Sequence, residues 1–116
     1  MSSSTHSTTS NAALARYRFA IIGANGKAAY PANNASAVAG VTMDSTDAAD
    51  KSIGLDVGPI VEVEVGTAMD ASNTLEVGTD ASGLAKEATN KVGYWLCWKG
   101  KTTAAVGDRI RVRLTA

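Results

Sequence analysis

The chain has 116 residues with 11 basic and 11 acidic side chains, so it is large enough for one domain and carries no net charge. This balance argues against a protein whose bulk charge attracts nucleic acid or an anionic membrane surface. Cys97 is the single cysteine, which excludes an internal disulfide, and no apolar run approaches the roughly 18 residues of a membrane span.

The N-terminal segment differs in composition from the rest of the chain. Residues 1–10 contain eight Ser or Thr and no apolar periodicity. A segment of this kind buries nothing by itself, so we predict a flexible N-terminal arm over residues 1–13 and a single β-rich domain over residues 14–116. The arm also lacks the basic and apolar regions of a secretory signal.

The remainder of the chain is predicted to be all-β, a small barrel or sandwich, because β-prone runs alternate with turn signals roughly every 8–15 residues. The predicted strands are residues 17–22, 38–43, 60–65, 75–77, 92–98 and 109–114. The Asn25-Gly26 dipeptide predicts a hairpin turn, and residues 80–83 predict a second turn. Weak helical signals predict short helical turns in the loops 44–51 and 67–72.

Two of these strands alternate apolar and charged side chains, which predicts that one face of each strand is buried. The residues predicted to point inward are Val61, Val63, Val65, Ile110, Val112 and Leu114. The residues predicted to point outward are Glu62, Glu64, Arg109, Arg111 and Arg113.

The sequence also indicates an internal duplication. Residues 57–65 and 106–114 share the pattern V-G-x-x-(aliphatic)-x-V-x-(aliphatic), residues 38–41 match 91–94, and residues 25–28 match 82–85. Two copies are too few for a solenoid. They favour a barrel or sandwich with pseudo-duplicated halves.

Charge is unevenly distributed along the chain. Residues 42–85 hold nine acidic residues and one lysine, whereas residues 86–116 hold seven basic and two acidic residues. Glu62 and Glu64 occupy the positions of Arg111 and Arg113 in the duplicated pattern. We expect these charges to pair, either across neighbouring strands of one chain or in a head-to-tail contact between identical subunits.

The sequence offers no arrangement for catalysis, for a metal or for a cofactor. His6 is the only histidine and lies in the predicted arm, so no nucleophile–histidine system is available on a rigid frame. One His and one Cys cannot complete a zinc site. Asp44, Asp47 and Asp50 do not have the spacing of an EF-hand loop. Glycine-rich phosphate loops are absent from the sequence.

An aromatic cluster stands out in a chain that is 5 % aromatic. Strand alternation places Tyr94, Leu96 and Trp98 on one face and Trp95 and Cys97 on the other. Either the strand is buried on both faces, or one face packs on the core and the other contacts a partner. In the second case Trp95 or Trp98 anchors a subunit contact.

The order of these features resembles that of the capsid decoration proteins of tailed phages, which are also called cement or head-stabilising proteins. The residues that carry the resemblance are 37–43, 44–51, 57–65, 66–69, 79–83 and 106–114. The resemblance implies a small β-barrel that binds the outside of the expanded capsid and stabilises the head against internal DNA pressure. It further implies a homotrimer at a threefold or quasi-threefold axis.

From this resemblance we expect two partners, the major capsid protein and further copies of the chain, and neither nucleic acid nor a membrane. The hypothesised capsid-binding residues are Ser2, Ser3, Ser4, Thr5, Thr8, Ser10, Asn11 and Leu14. The hypothesised subunit-interface residues are Glu62, Glu64, Trp95, Trp98, Arg111 and Arg113.

Three other functions are compatible with the sequence. A phage tail or fibre accessory protein shares the β-fold and the lack of catalysis. A carbohydrate-binding β-domain uses Trp95 or Trp98 as a platform for a sugar. A carrier domain of the lipoyl type is modified on a lysine such as Lys51, although an ordinary exposed lysine fits the surrounding sequence better.

Overall fold

A computed structural model describes residues 4–115, which form two five-stranded antiparallel sheets and one two-stranded sheet. A 3₁₀ turn over Trp98–Gly100 interrupts the otherwise all-β chain. The strands are β1 (Ser4–Thr9), β2 (Phe19–Ile22), β3 (Ala28–Ala29), β4 (Gly40–Thr42), β5 (Ser52–Gly58), β6 (Ile60–Glu64), β7 (Met69–Asp70), β8 (Glu76–Thr79), β9 (Ala85–Glu87), β10 (Gly93–Trp95), β11 (Thr103–Ala104) and β12 (Arg109–Leu114).

The two larger sheets form a sandwich. Sheet I has the strand order β1-β5-β4-β2-β3, and sheet II has the order β6-β12-β10-β8-β9. The all-β prediction is confirmed, but the closed barrel implied by the family resemblance is wrong. In each sheet the two end strands meet at a single bridge, Ser10–Ala28 in sheet I and Val65–Ala85 in sheet II, rather than along a ladder that would close the sheet into a barrel.

The same topology occurs twice and divides the chain into unit A (β1–β5) and unit B (β6–β12). In both units the first strand pairs with the last, and a hairpin lies at the far side of the sheet. Unit B adds the pair β7–β11, and a bridge between Leu14 and Thr46 lies at the corresponding points of unit A. The predicted pseudo-duplication is therefore confirmed.

Equivalent glycines show how closely the two units agree. In the hairpin turns, the Gly23 N–H donates to Lys27 O at 2.9 Å and the Asp80 N–H donates to Leu84 O at 3.0 Å. A Cβ on Gly40 would lie 2.4 Å from a backbone oxygen of β5, and one on Gly93 would lie 2.5 Å from a backbone oxygen of β12. Both positions require glycine because a neighbouring strand passes so close.

One of the three predicted sequence matches is wrong. Residues 57–65 and 106–114 are not equivalent, because β12 corresponds to β5 and β6 corresponds to β1. The pattern that the two segments share arises because β6 and β12 are neighbours in sheet II and bury the same face. The matches of residues 25–28 with 82–85 and of 38–41 with 91–94 agree with the topology.

The sandwich contains two apolar clusters. The larger cluster joins Val61, Val63 and Val112 of sheet II to Phe19 and Val41 of sheet I. A smaller cluster lies on the opposite face of sheet I, since strand alternation turns neighbouring residues to opposite sides. Its buried members are Leu14, Ala20, Ala28, Ile53 and Leu55.

The inward and outward residues of the alternating strands are confirmed. Val61, Val63 and Val65 are at most 2 % exposed, and Ile110 and Val112 are at most 3 % exposed. Leu114 is half-buried and packs against the larger cluster.

Two predictions about local structure are wrong. Residues 44–51 and 67–72 contain no helix; the second segment instead includes β7. Residues 4–9, predicted as part of a flexible arm, form β1 at the edge of sheet I. The sequence shows no alternating apolar pattern here, because β1 is held by backbone pairing to β5 rather than by side-chain burial. The division into residues 1–13 and 14–116 stays a prediction.

Candidate functional site

Strand β1 lies at one edge of sheet I, and the chain at its C-terminal end is bridged to β3 through Ser10 and Ala28. Its six residues pair with β5 from Ser4 opposite Gly58 to Thr9 opposite Ser52. Unprotected edge strands offer backbone groups to a further strand, and proteins usually block such edges with charged residues or proline. The sequence of β1, STHSTT, contains no Lys, Arg, Asp, Glu or Pro, so this edge is not blocked by those means.

The direction of the β1 backbone groups follows from the hydrogen bonds at its end. The Ser10 N–H donates to Lys51 O at 2.9 Å, so Ser10 faces β5. In an antiparallel pair alternate residues bond to the same neighbour, so the backbone groups of Ser7 and Thr9 point away from β5. Glu64, the unit B counterpart of Thr9, behaves in this way, since its N–H donates outward to Tyr17 O.

A shallow depression of about 490 Å³ lies beside this edge. Its lining combines β1 residues with the start of β5 and with Met43, which is 40 % exposed. An added strand would therefore find both backbone partners and a partly apolar surface for its side chains. We call β1 together with this depression the β1 edge.

The hypothesised capsid-binding residues divide into three groups. Ser4, Thr5 and Asn11 are exposed, and Thr8 is half-buried, with its hydroxyl donating to Gly26 O at 2.6 Å. Ser10 and Leu14 are buried, with Leu14 in the smaller cluster. Ser2 and Ser3 lie outside the described residues.

A second surface lies on the outer face of sheet II and contains Trp98. Trp98 is 53 % exposed, and the guanidinium of Arg111 lies 4.2 Å from the centre of its ring. A depression of about 180 Å³ adjoins this pair. The charged side chains that line it are Glu62, Lys101, Arg109 and Arg111. We call this group the Trp98 depression.

The two tryptophans have different roles. Trp95 is 3 % exposed and belongs to the larger cluster, so its side chain has no surface to offer a partner. Tyr94 and Leu96 are 39 % and 41 % exposed and lie on the same side as Trp98. The predicted alternation of buried and exposed side chains is confirmed, but the predicted strand over residues 92–98 is too long, because β10 ends at Trp95 and Trp98 lies in the 3₁₀ turn.

The predicted charge pairs form within the chain, but with different partners. Glu62 and Glu64 lie opposite Arg111 and Arg109 in the β6–β12 ladder. The ion pairs instead join Glu62 to Arg109 at 3.7 Å, and Glu64 to Arg18 at 3.8 Å. Arg111 turns to Trp98, which makes it available to an acidic group.

A polar group covers the far side of the same face. The Lys91 ammonium donates to the Tyr94 hydroxyl at 2.7 Å and pairs with Glu76 at 3.4 Å. The hydrogen bond to Tyr94, followed by that to Glu76, raises the pKa of Lys91. These residues correspond to Val38, Val41 and Phe19 of unit A, which are buried between the sheets.

Possible metal ligands do not cluster among residues 4–115. These residues include no group of three His, Cys, Asp or Glu side chains that could hold a metal ion, and no helix long and apolar enough to cross a membrane. His6 is exposed on β1, and Cys97 is half-buried against the larger cluster.

Two carboxylates in unit B loops have perturbed acidities. The backbone N–H and hydroxyl of Ser72 lower the pKa of Asp70. The Ala105 N–H, followed by Lys101, lowers the pKa of Asp108. Both carboxylates accept hydrogen bonds within their own loops, so their role is to hold those loops in place.

The architecture defines an all-β sandwich built from two topologically equivalent units. The chain matches no family model and no curated protein. Among solved structures it is similar to the N base of head fiber gp8.5 of bacteriophage phi29, with a TM-score of 0.69 and 16 % sequence identity. The similarity covers 97 % of this chain and 95 % of that one. At this identity the likeness is one of fold.

Proposed function

We propose that the chain is a non-enzymatic structural protein of a phage virion that binds the outer surface of the capsid. The observation that supports this most strongly is the shared fold: almost the whole chain matches almost the whole base of a phage head fibre. The resemblance of the sequence to capsid decoration proteins leads independently to the same part of a virion.

The surface that best fits a capsid contact is the β1 edge. Its outward backbone groups at Ser7 would pair with an extended segment of the major capsid protein, whereas the chain beyond Thr9 is already bridged to Ala28 of β3. Ser4, Thr5 and Asn11 remain in the proposed contact, because their side chains are exposed. Ser10 and Leu14 act indirectly, because they are buried where β1 joins the rest of unit A.

We further propose that the bound protein stabilises the expanded head and that it acts as a homotrimer. Many copies on a lattice bind together, so modest contacts per copy give firm attachment. Trp95 is buried, Glu62 and Glu64 form ion pairs within the chain, and Arg111 stacks on Trp98. This leaves the exposed Arg113 as the member of the predicted subunit contact that we assign to a neighbouring copy.

Co-sedimentation with DNA-free capsids of the parent phage tests the capsid proposal. Proline at position 7 removes one outward N–H without breaking the β1–β5 ladder, since edge strands accept proline on their free side. We expect saturable binding of the native chain to expanded capsids and at least tenfold weaker binding of Ser7→Pro. Equal binding of both proteins would exclude the β1 edge as the surface that binds the capsid.

The matched control is Ser7→Ala, which keeps the backbone N–H and removes only the hydroxyl. It should bind like the native chain if backbone pairing dominates. Far-ultraviolet circular dichroism of all three proteins checks that the fold is intact. If the native chain did not bind expanded capsids, that result would contradict the proposed function itself.

A head-fibre base is the second candidate, and the similarity to the phi29 protein favours it. Such a protein also attaches to the head but carries a projecting fibre. Electron microscopy separates the two functions, because a cement protein occupies its lattice sites as a compact layer, whereas a fibre base supports an extended projection.

A further inference from the structure

The Trp98 depression has features that attachment to a capsid through the β1 edge does not require. It lies on sheet II, whereas the β1 edge belongs to sheet I. The residues that line it come from β6, from β10 and the segment after it, and from β12. Different parts of the chain therefore converge on a single concave site.

The backbone around Trp98 is held in an unusual conformation. Cys97, Lys99 and Gly100 have φ angles of 49°, 56° and 74°. Residues other than glycine rarely adopt this left-handed region, and strained positions cluster where a side chain must be presented in one direction. Here the tight turn presents Trp98 to solvent.

One face of the Trp98 ring stacks on Arg111, and the residue is still 53 % exposed. The other face of the ring is thus available to a ligand. An aromatic ring that is supported on one side and open on the other is a flat, rigid platform, with little side-chain entropy to lose on binding.

The charges of the depression indicate which ligand fits. Three cations, Lys101, Arg109 and Arg111, surround one lining carboxylate, Glu62. Arg109 pairs with Glu62, and Lys101 pairs with Asp108 at 3.2 Å. Within residues 4–115 the Arg111 guanidinium stacks on the Trp98 ring and forms no ion pair, so it retains donors for an anionic group in bidentate geometry.

The size of the Trp98 depression favours a small ligand over a protein partner. A volume of about 180 Å³ is below the roughly 300 Å³ at which drug-sized sites begin, and suits one ring with its substituents. Stable protein contacts have an apolar centre that is depleted of charged residues. Trp95, Trp98 and Ile110 also line this depression, but four of its seven lining residues are charged, so it does not meet that description.

We propose that the Trp98 depression binds an anionic saccharide, one ring of which stacks on Trp98 while its acidic group is held by Arg111. The remaining charged side chains contribute hydrogen-bond donors from Arg109 and Lys101 and an acceptor from Glu62. The site recognises a sugar bearing a carboxylate or a phosphate, and discriminates against its neutral counterpart.

Fluorescence titration of the full chain tests this proposal, since both tryptophans line the depression and Trp98 is the exposed one. The probes are a hyaluronan tetrasaccharide, sialyllactose and glucose 6-phosphate, with lactose and glucose as neutral controls. We expect saturable quenching by at least one acidic sugar, and at least tenfold weaker binding of its neutral counterpart. Equal binding of neutral sugars, or no saturable binding of any acidic probe, would overturn the proposal.

Variants on one strand provide the matched comparison. Arg111→Gln should weaken binding at least tenfold. Arg113→Gln, an exposed position two residues along the same face and outside the depression, should leave binding unchanged. Trp98→Ala should abolish binding. Calorimetry measures the binding of this variant, because the variant lacks the exposed tryptophan. Retained binding in Trp98→Ala or Arg111→Gln with an intact circular dichroism spectrum would contradict the assignment.

Two further measurements distinguish the other occupants. Polyglutamate that binds as tightly as the acidic sugar would identify a docking site for an acidic protein segment and overturn the saccharide. The mass of the native chain and of Trp98→Ala in solution, measured by light scattering, should agree. A loss of oligomer in the variant would identify a subunit contact instead.

Discussion

Units A and B have the same strand order, but they hold their first strands by different means. In unit B, β6 places Val61 and Val63 in the larger cluster. In unit A the corresponding positions of β1 are His6, which is exposed, and Thr8, which is half-buried. Topology alone therefore does not bury a strand, and β1 is attached to sheet I by its backbone pairing with β5.

The units also differ in a second respect. One face of unit A packs against unit B, and the equivalent face of unit B has different residues. Phe19, Val38 and Val41 of unit A are buried in the larger cluster, whereas unit B has Glu76, Lys91 and Tyr94 at those places. A repeat that ends an array needs a polar outer face. The charged side chains on this face of unit B therefore disfavour the packing of a third unit against it.

The largest effect we expect comes from the two equivalent hairpin turns. A Cβ on Gly83 would lie 2.4 Å from Phe19 O, whereas a Cβ on Gly26 meets nothing within 4 Å. Both glycines have positive φ, at 74° and 79°. Gly83→Ala should cost about 3 kcal/mol or more from strain and overpacking, and Gly26→Ala only about 1–2 kcal/mol.

Urea unfolding followed by circular dichroism measures this difference. Equal losses of stability would mean that unit A does not pack on the unit B turn as described. A larger loss for Gly26→Ala would reverse the comparison and contradict the arrangement of the two units.

An intermediate effect should distinguish β6 from β1. Val63 lies opposite Ile110, as Thr8 lies opposite Ile53. Val63→Thr buries a hydroxyl in the larger cluster and should cost about 1–3 kcal/mol. Thr8→Val replaces a half-buried hydroxyl at the surface and should change the unfolding free energy by only about 0.5–1 kcal/mol. Chemical denaturation of the two variants side by side provides the measurement, and similar costs would show that β1 is as buried as β6.

The smallest effect concerns acid stability in unit B. The pKa of Asp108 is lowered in the folded chain, so the ionised carboxylate stabilises the fold at pH values above its ordinary pKa of 3.8. This contribution is lost as the pH falls below 3.8 and through the folded-state pKa. Thermal melting from pH 6 to pH 2 should show Asp108→Asn melting below the native chain at pH 6, with the gap closing in acid. A gap that is independent of pH would exclude the carboxylate charge as its cause.

Much of unit B follows from the sequence because its strands alternate cleanly. Arg109–Leu114 was predicted with its exact bounds, and the burial of Val63 and Val112 was predicted from period-two patterning. Unit A was harder because β1 and β5 lack that signal. Strand β1 is entirely Ser, Thr and His, and β5 contains Gly54, Asp56 and Gly58.

The candidate sites were predictable in part. The exposed Tyr94–Leu96–Trp98 face followed from alternation, but the stacking of Arg111 on Trp98 depends on the left-handed turn at Cys97. Strand β1 was not predicted, because a strand that is held by backbone pairing need not show an alternating pattern of apolar side chains. A six-residue run of β-tolerant Ser and Thr without proline was the signal that could have indicated it.

The most direct test of the central claim is electron cryo-microscopy of expanded capsids of the parent phage saturated with the native chain. We expect ordered density on the outer surface, with β1 as the strand nearest the shell and with a capsid-protein segment alongside Ser7. Capsids without added density, or density in which β1 faces solvent and another surface touches the shell, would contradict it.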